Sequence, residues 1–294
     1  MSAELSATAT VEEILAKKSV IELRELARSF YVKGSSKMRK VELISEVKAA
    51  LMIPERLEEL LYVLDSAAWQ TFRKAAESSE PVKLNLTESR WYQILHGLCY
   101  LHFITGNRSL SCSVPPEIRT VYDSLVTDGL IQRKKHYDQL HLYALAAANL
   151  YGVISQDDFV ALFNSQNEDN TSKEELFDAL IRHIVVDAGY CFWDKYIVDI
   201  GFEDNGFADV SDLLAQIGDK PRYIPEKEEF LKYADWRYFE HNEHSRNLGD
   251  YLIHACGVAP LLVPKIVTEL HESCMLSESF RNRFCLLYTS PSPR

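Results

Sequence analysis

Between Ser19 and Leu51 apolar residues recur every three or four positions, stop at a short polar break, and resume. Such spacing predicts two short amphipathic helices joined by a tight link. Val20, Leu23, Leu26, Ala27 and Phe30 make the first stripe, and Met38, Val41, Ile44, Val47 and Leu51 the second. Ser19 with Glu22 has capping-box spacing at the start of the first helix. Val32-Lys33-Gly34-Ser35-Ser36 breaks the pattern: Gly34 tolerates positive φ, and Ser36 is the cap candidate for the second helix.

The polar positions of the same stretch are cationic: Arg24, Arg28, Lys33, Lys37, Arg39 and Lys40. The last three fall at or beside the second helix start. Backbone N–H groups are unpaired there and the helix dipole favours an anion. Together with Ser36 these side chains form a candidate anion-binding set.

Glu22-Leu23-Arg24-Glu25-Leu26-Ala27, the turn Val32-Lys33-Gly34, and Ser36-Lys37-Met38-Arg39-Lys40 leading to Glu42-Leu43-Ile44 resemble the N-terminal helix-extension-helix module of the transcription terminator Rho, itself related to SAP motifs. The resemblance covers about forty residues, and the run from Gly34 to Lys40 followed by Glu-Leu-Ile is its specific part. It implies DNA or RNA binding through backbone contacts, with a role linked to transcription termination or regulation. Leu150–Ser155 and Arg222–Asp235 resemble segments that follow such a module in bacterial proteins, and they carry no known activity with them. A G-x-x-x-x-G-K-[ST] phosphate loop is absent, so no motor activity is implied. The competing class is a protein-docking adaptor without nucleic-acid contact, in which the same small helices recognise an acidic partner.

Charge is unevenly spread over the 294 residues. Residues 1–52 hold nine Lys/Arg against seven Asp/Glu, and the remainder holds 23 against 36. A body this acidic does not coat long stretches of nucleic acid, so any contact is local to the module. The acidic body is then free for a protein partner. The six cysteines are scattered without a C-x-x-C, and a chain of this size needs no disulfide staples. No leader opens the sequence, and no apolar run approaches the ~20 residues of a membrane helix. These features point to a cytoplasmic protein with reduced thiols and no membrane contact.

The predicted fold is mainly α: the N-terminal helix-extension-helix module, then a helical body with winged-helix-like units and short β-hairpins. Met1 to Ala9 reads as disordered, and Thr10 with Glu13 opens a supporting helix. The module spans 10–52. A first winged-helix-like unit spans 53–116, with a strand over 82–86, a helix over 88–99 and a hairpin over 100–114. A second unit spans 117–225, with helices over 117–125, 139–151, 156–164 and 172–186 and a hairpin over 190–198. A C-terminal helical segment covers 226–284. Arg133-Lys134-Lys135-His136 reads as a solvated basic loop. The Ser/Pro-rich stretch 285–294 fits nothing before it and reads as a non-native tail.

No enzyme class is indicated. A G-x-S-x-G elbow and a G-x-G-x-x-G loop are absent. His241 and His244, three apart, could share a helix face and hold a metal, but no third ligand lies at fixed spacing. No metal or cofactor is therefore expected. Trp91-Tyr92, Phe192-Trp193 and Trp236 to Phe239 are candidate stacking surfaces whose apolar surroundings favour core packing.

Overall fold

A computed structural model describes residues 6, 8–106, 109–186, 188–218, 221–238 and 243–275. By compactness the chain divides into two units, Met1–Leu140 with Phe177–Asp187, and His141–Leu176 with Ala188–Arg294. Helix is the dominant element in both, with one small antiparallel sheet in each.

The first unit opens with three short helices. In α1, Val11–Lys17, the Thr10 N–H donates to Glu13 Oε2 at 2.8 Å, and the Glu13 N–H returns to Thr10 Oγ1 at 3.2 Å. The same reciprocal box starts α2, Val20–Ser29, between Ser19 and Glu22 at 2.7 and 3.2 Å. Each box satisfies two amides that a helix start leaves unpaired. A 3₁₀ turn over Ser35–Lys37 precedes α3, Lys40–Leu51. Gly34 enters that turn at φ +75°, as the break requires.

Three expectations are corrected here. Ser36 does not cap α3: it lies exposed inside the 3₁₀ turn, and Arg39 takes the cap position, its N–H donating to Glu42 Oε2 at 2.7 Å. Val41 does not face inward but is 78% exposed, and the buried stripe is Leu43, Val47, Ala50 and Leu51. Met38 lies before the helix and Val41 at its second position, so the spacing of three between them is not a helical repeat, while Val47 and Leu51 are buried as the stripe predicts. Ala9, expected to be disordered, is 2% exposed and donates to the Ser6 carbonyl, while residues 1–5 and 7 lie outside the described ones.

The core under the module is continuous with the rest of the unit. Leu15, Leu23, Ala27, Leu43 and Leu51 are fully buried. Sealing a leucine of this kind from water contributes about 2 kcal/mol. Phe30 meets the Tyr100 ring edge-on at 6.3 Å, and Arg56 lies over its face at 5.6 Å. Then follow α4 (Pro54–Val63), α5 (Ser66–Glu77), β1 (Val82–Leu84), α6 (Trp91–Gly97), β2 (His102–Thr105), β3 (Leu110–Ser113), α7 (Pro116–Thr127) and α8 (Leu130–Tyr151). The sheet order is β1-β3-β2, with Val82 opposite Cys112 and His102 opposite Ser113. Helix, strand, helix and hairpin follow one another in the order expected from the sequence.

The basic run 133–136 is not a loop. It is part of α8, which is continuous over 22 residues. Lys134 is 1% exposed: its Nζ donates to the Leu64 carbonyl at 2.8 Å and pairs with Asp138 one turn along. Arg133 reaches Glu58 at 2.6 Å and the Tyr62 hydroxyl at 2.7 Å. Two of the four basic residues therefore tie helices together, and charge alone misled the reading.

Beyond α8, strand β4 (Val153–Ser155) was not foreseen, because its adjacent apolar residues Val153 and Ile154 do not alternate with polar ones. It precedes α9 (Gln156–Gln166), α10 (Lys173–Val185), β5 (Tyr190–Trp193) and β6 (Tyr196–Asp199). The sheet order β4-β6-β5 repeats the β1-β3-β2 pattern, first strand against third. α11 (Ala208–Ile217), α12 (Lys227–Lys232), α13 (Glu243–His254) and α14 (Val263–Met275) follow. In this second unit Tyr143 packs edge-on to Phe163 at 4.9 Å and against Phe230 at 5.1 Å. The stretch 285–294 lies outside the described residues.

Candidate nucleic-acid interface

Helix α2 carries Arg24 and Arg28, the link carries Lys33 and Ser36, and the approach to α3 carries Lys37, Arg39 and Lys40. Arg28, Lys33, Ser36, Lys37 and Arg39 are exposed, and Arg24 and Lys40 are half-buried. The 3₁₀ turn places Lys37 at its end, Arg39 at the cap of α3 and Lys40 at the first helical position. Three positive side chains thus fall within four residues of a helix start.

That helix start already holds one carboxylate, since Glu42 accepts the Arg39 N–H. The amides of Lys40 and Val41 have no intrahelical acceptor at this position.

Lys40 departs from the proposed role. Its Nζ donates to the Ala16 carbonyl at 2.8 Å, in the last turn of α1. It is a tie between two helices first and a cation second. Arg24 is half-buried with its Nε lacking a hydrogen-bond partner among the described residues.

Among the described residues, Arg24, Arg28, Lys33, Lys37, Arg39 and Lys40 form no ion pair with a carboxylate. Within the module Lys48 is paired, and elsewhere in the unit so are Arg73, Arg133, Lys134 and Arg182, whereas Arg56, Lys74, Lys83 and Lys135 form no ion pair among the described residues. Lys48 joins Glu12 at 3.1 Å and Glu117 at 3.5 Å. Cations left without a carboxylate keep their charge available to a ligand.

One residue of the module was overlooked in the sequence. Tyr31, just past α2, is 88% exposed and sits at φ +56°. Its N–H donates to the Arg28 carbonyl at 2.9 Å, and the Val32 N–H donates to the Ala27 carbonyl at 2.8 Å. This is the Schellman pairing, in which Tyr31 stands where glycine is preferred. In the sequence nothing marks it, because its exposure follows from the backbone φ.

The helices that precede the two hairpins offer little. On α6, Trp91 and Tyr92 are buried. The preceding Arg90 lies over Trp91 at 5.6 Å and donates to the Val186 carbonyl at 2.9 Å. His96 stacks on Phe103 at 4.1 Å, and burial pushes its pKa below the usual imidazole value. On α10, Arg182 grips Glu59 through Nε and Nη2 and lies over the Tyr62 and Tyr137 rings at 5.4 and 5.7 Å. Arg90 and Arg182 are thus committed to internal contacts. Arg108, at the first hairpin tip, lies outside the described residues.

Of the other candidate stacking surfaces, Phe192 and Trp193 are half-buried, with Trp193 against Phe207 at 6.1 Å. Trp236 is exposed, and Phe239 lies outside the described residues. A groove of about 420 Å³ between α2 and α6 is lined by Lys18, Glu22, Glu25, Leu26, Ile94 and Leu98, and contains none of the predicted site residues. His241 lies outside the described residues, and His244 is exposed on α13. Among the described residues no three His, Cys, Asp or Glu side chains converge as a metal site. Among them, too, no helix is long and apolar enough to cross a membrane.

Comparison with known families matches residues 15–55 to the family described as Rho termination factor, N-terminal domain. The matched stretch runs from the end of α1 through α2 and α3 to the start of α4 and includes every residue of the predicted set. It links this part of the chain to a family related to nucleic-acid binding. No curated protein and no solved structure matches the chain.

Proposed function

We propose that the Rho N-terminal domain of this chain binds DNA or RNA through backbone phosphates, without reading base sequence, and that the protein acts by binding and not by catalysis. The observation that carries the reading is the set of cations between Arg24 and Arg39 that lack a carboxylate partner, three of them exposed beside the link and the start of α3. Lys37 and Arg39 are the principal phosphate ligands, with Arg28 and Lys33 extending the positive surface along the backbone. A link to transcription termination or regulation rests on the domain match alone.

Filter binding of the full chain to single- and double-stranded DNA and RNA tests this. With about two to four phosphates engaged, log K should fall against log[salt] with a slope of about −2 to −4. The Lys37→Ala/Arg39→Ala variant should bind every sequence more weakly and lower that slope by about 2. Unchanged retention by this variant would show that the cations do not hold phosphate.

A docking reading is favoured by one observation: Ile21 and Val41, in the first turns of α2 and α3, are 70% and 78% exposed. Under that reading Val41→Ser abolishes capture of an acidic partner and leaves filter retention unchanged.

A further inference from the structure

Tyr31 combines three properties that core packing does not require. Its ring is almost wholly in water at 88% exposure, and no aromatic contact or hydrogen bond of its side chain is found among the described residues. Its backbone is held in the left-handed region at φ +56°, where a side chain bearing Cβ is disfavoured. It is flanked by Arg28, whose carbonyl its own N–H contacts, and by Lys33, both exposed and without a carboxylate partner. Glycine would close the Schellman motif with less strain, so the ring sits there at a cost to stability.

We infer that Tyr31 is a stacking platform for an unpaired base, which makes single-stranded nucleic acid the ligand class of this module. The inference rests on the phosphate reading above and adds a specificity-determining residue to it. The cations hold the sugar-phosphate chain of either strand form. A base already stacked inside a duplex presents no free face to the ring, whereas a single strand does. Stacking tolerates every base, because each has a π-face, so the preference is for strandedness and not for sequence.

The test uses the full chain with Tyr31→Gly, Tyr31→Phe and Lys37→Ala/Arg39→Ala, on single-stranded DNA and RNA oligonucleotides and on the matching duplexes. Tyr31→Gly should bind single strands about tenfold more weakly and leave duplex binding within about twofold of the parent. Its melting temperature should rise by about 2 °C, because glycine relieves the positive φ. Tyr31→Phe should retain single-strand affinity. Parental single-strand affinity in Tyr31→Gly overturns the inference, while continued loss in the Lys37/Arg39 variant keeps the phosphate reading standing. Equal loss on both strand forms, with a lowered melting temperature, also overturns it, since the ring would then be structural. Failure of the parent chain to retain either strand form removes both readings together.

Discussion

Lys40 Nζ and the Ala16 carbonyl lie 2.8 Å apart, so a lysine at the first position of α3 closes the C-terminal turn of α1. Free carbonyls at a helix end are stabilised by such a donor. Lys40→Ala is therefore expected to lower unfolding stability by about 1 kcal/mol in urea titrations. Lys37→Ala and Arg39→Ala, without such a tie, should leave the midpoint unchanged. Equal midpoints for all three would show that the contact is energetically idle.

Lys134 and Asp138 supply a second expectation. Desolvation is the largest influence on both: it depresses the Lys134 pKa and raises that of Asp138, against the attraction between them. Asp138→Asn leaves a buried ammonium without its counter-charge and should cost about 3 kcal/mol near neutral pH. A lysine whose folded pKa is depressed contributes stability above its unfolded value and loses it as pH falls through the folded one. The penalty of Asp138→Asn should thus shrink as pH rises toward 10, the ordinary lysine value. Chemical denaturation at neutral and alkaline pH reads this directly, and a pH-independent penalty would contradict it.

Acid should loosen the first unit through Glu58. Its own burial raises its pKa, but hydrogen bonds from Tyr62 and Arg133 outweigh that and hold it below the usual carboxylate value. A depressed carboxylate contributes stability above its unfolded pKa, about 4.5, and loses it as pH falls further. Glu58→Gln should cost about 1 kcal/mol at neutral pH and show a flatter melting profile below pH 4.5. Parallel profiles for the two proteins would assign the acid sensitivity elsewhere.

At Gly34 the backbone alone decides. A Cβ placed there meets nothing within 4 Å, yet φ is +75°. Gly34→Ala should destabilise by about 1 kcal/mol through strain without any clash. A neutral effect in thermal unfolding would mean that the link relaxes into another conformation.

The elements with local signals were legible in the sequence. Thr10/Glu13 and Ser19/Glu22 announced two helix starts, and both boxes are present. The two hairpins and the module's helices followed from alternation and from apolar stripes. What escaped depends on partners distant in the chain. Lys134 looked solvated because nothing nearby in sequence says that Leu64 and Asp138 enclose it. Val41 looked buried because the turn before α3 consumes residues that the stripe counted as helix. Tyr31 was passed over because an apolar residue after Phe30 reads as one more core position, and only the backbone φ turns it outward.

The first compact unit takes Phe177–Asp187 from beyond its main run, which ends at Leu140. During synthesis the polypeptide leaves the ribosome in order, so Glu59 emerges more than a hundred residues ahead of its partner Arg182. The early product waits with that face open, and long-range closure of this kind slows folding and exposes the waiting surface to self-association. A fragment cut at residue 140 would inherit the wait permanently, so expression trials that truncate there should yield aggregate where the intact chain yields monodisperse protein.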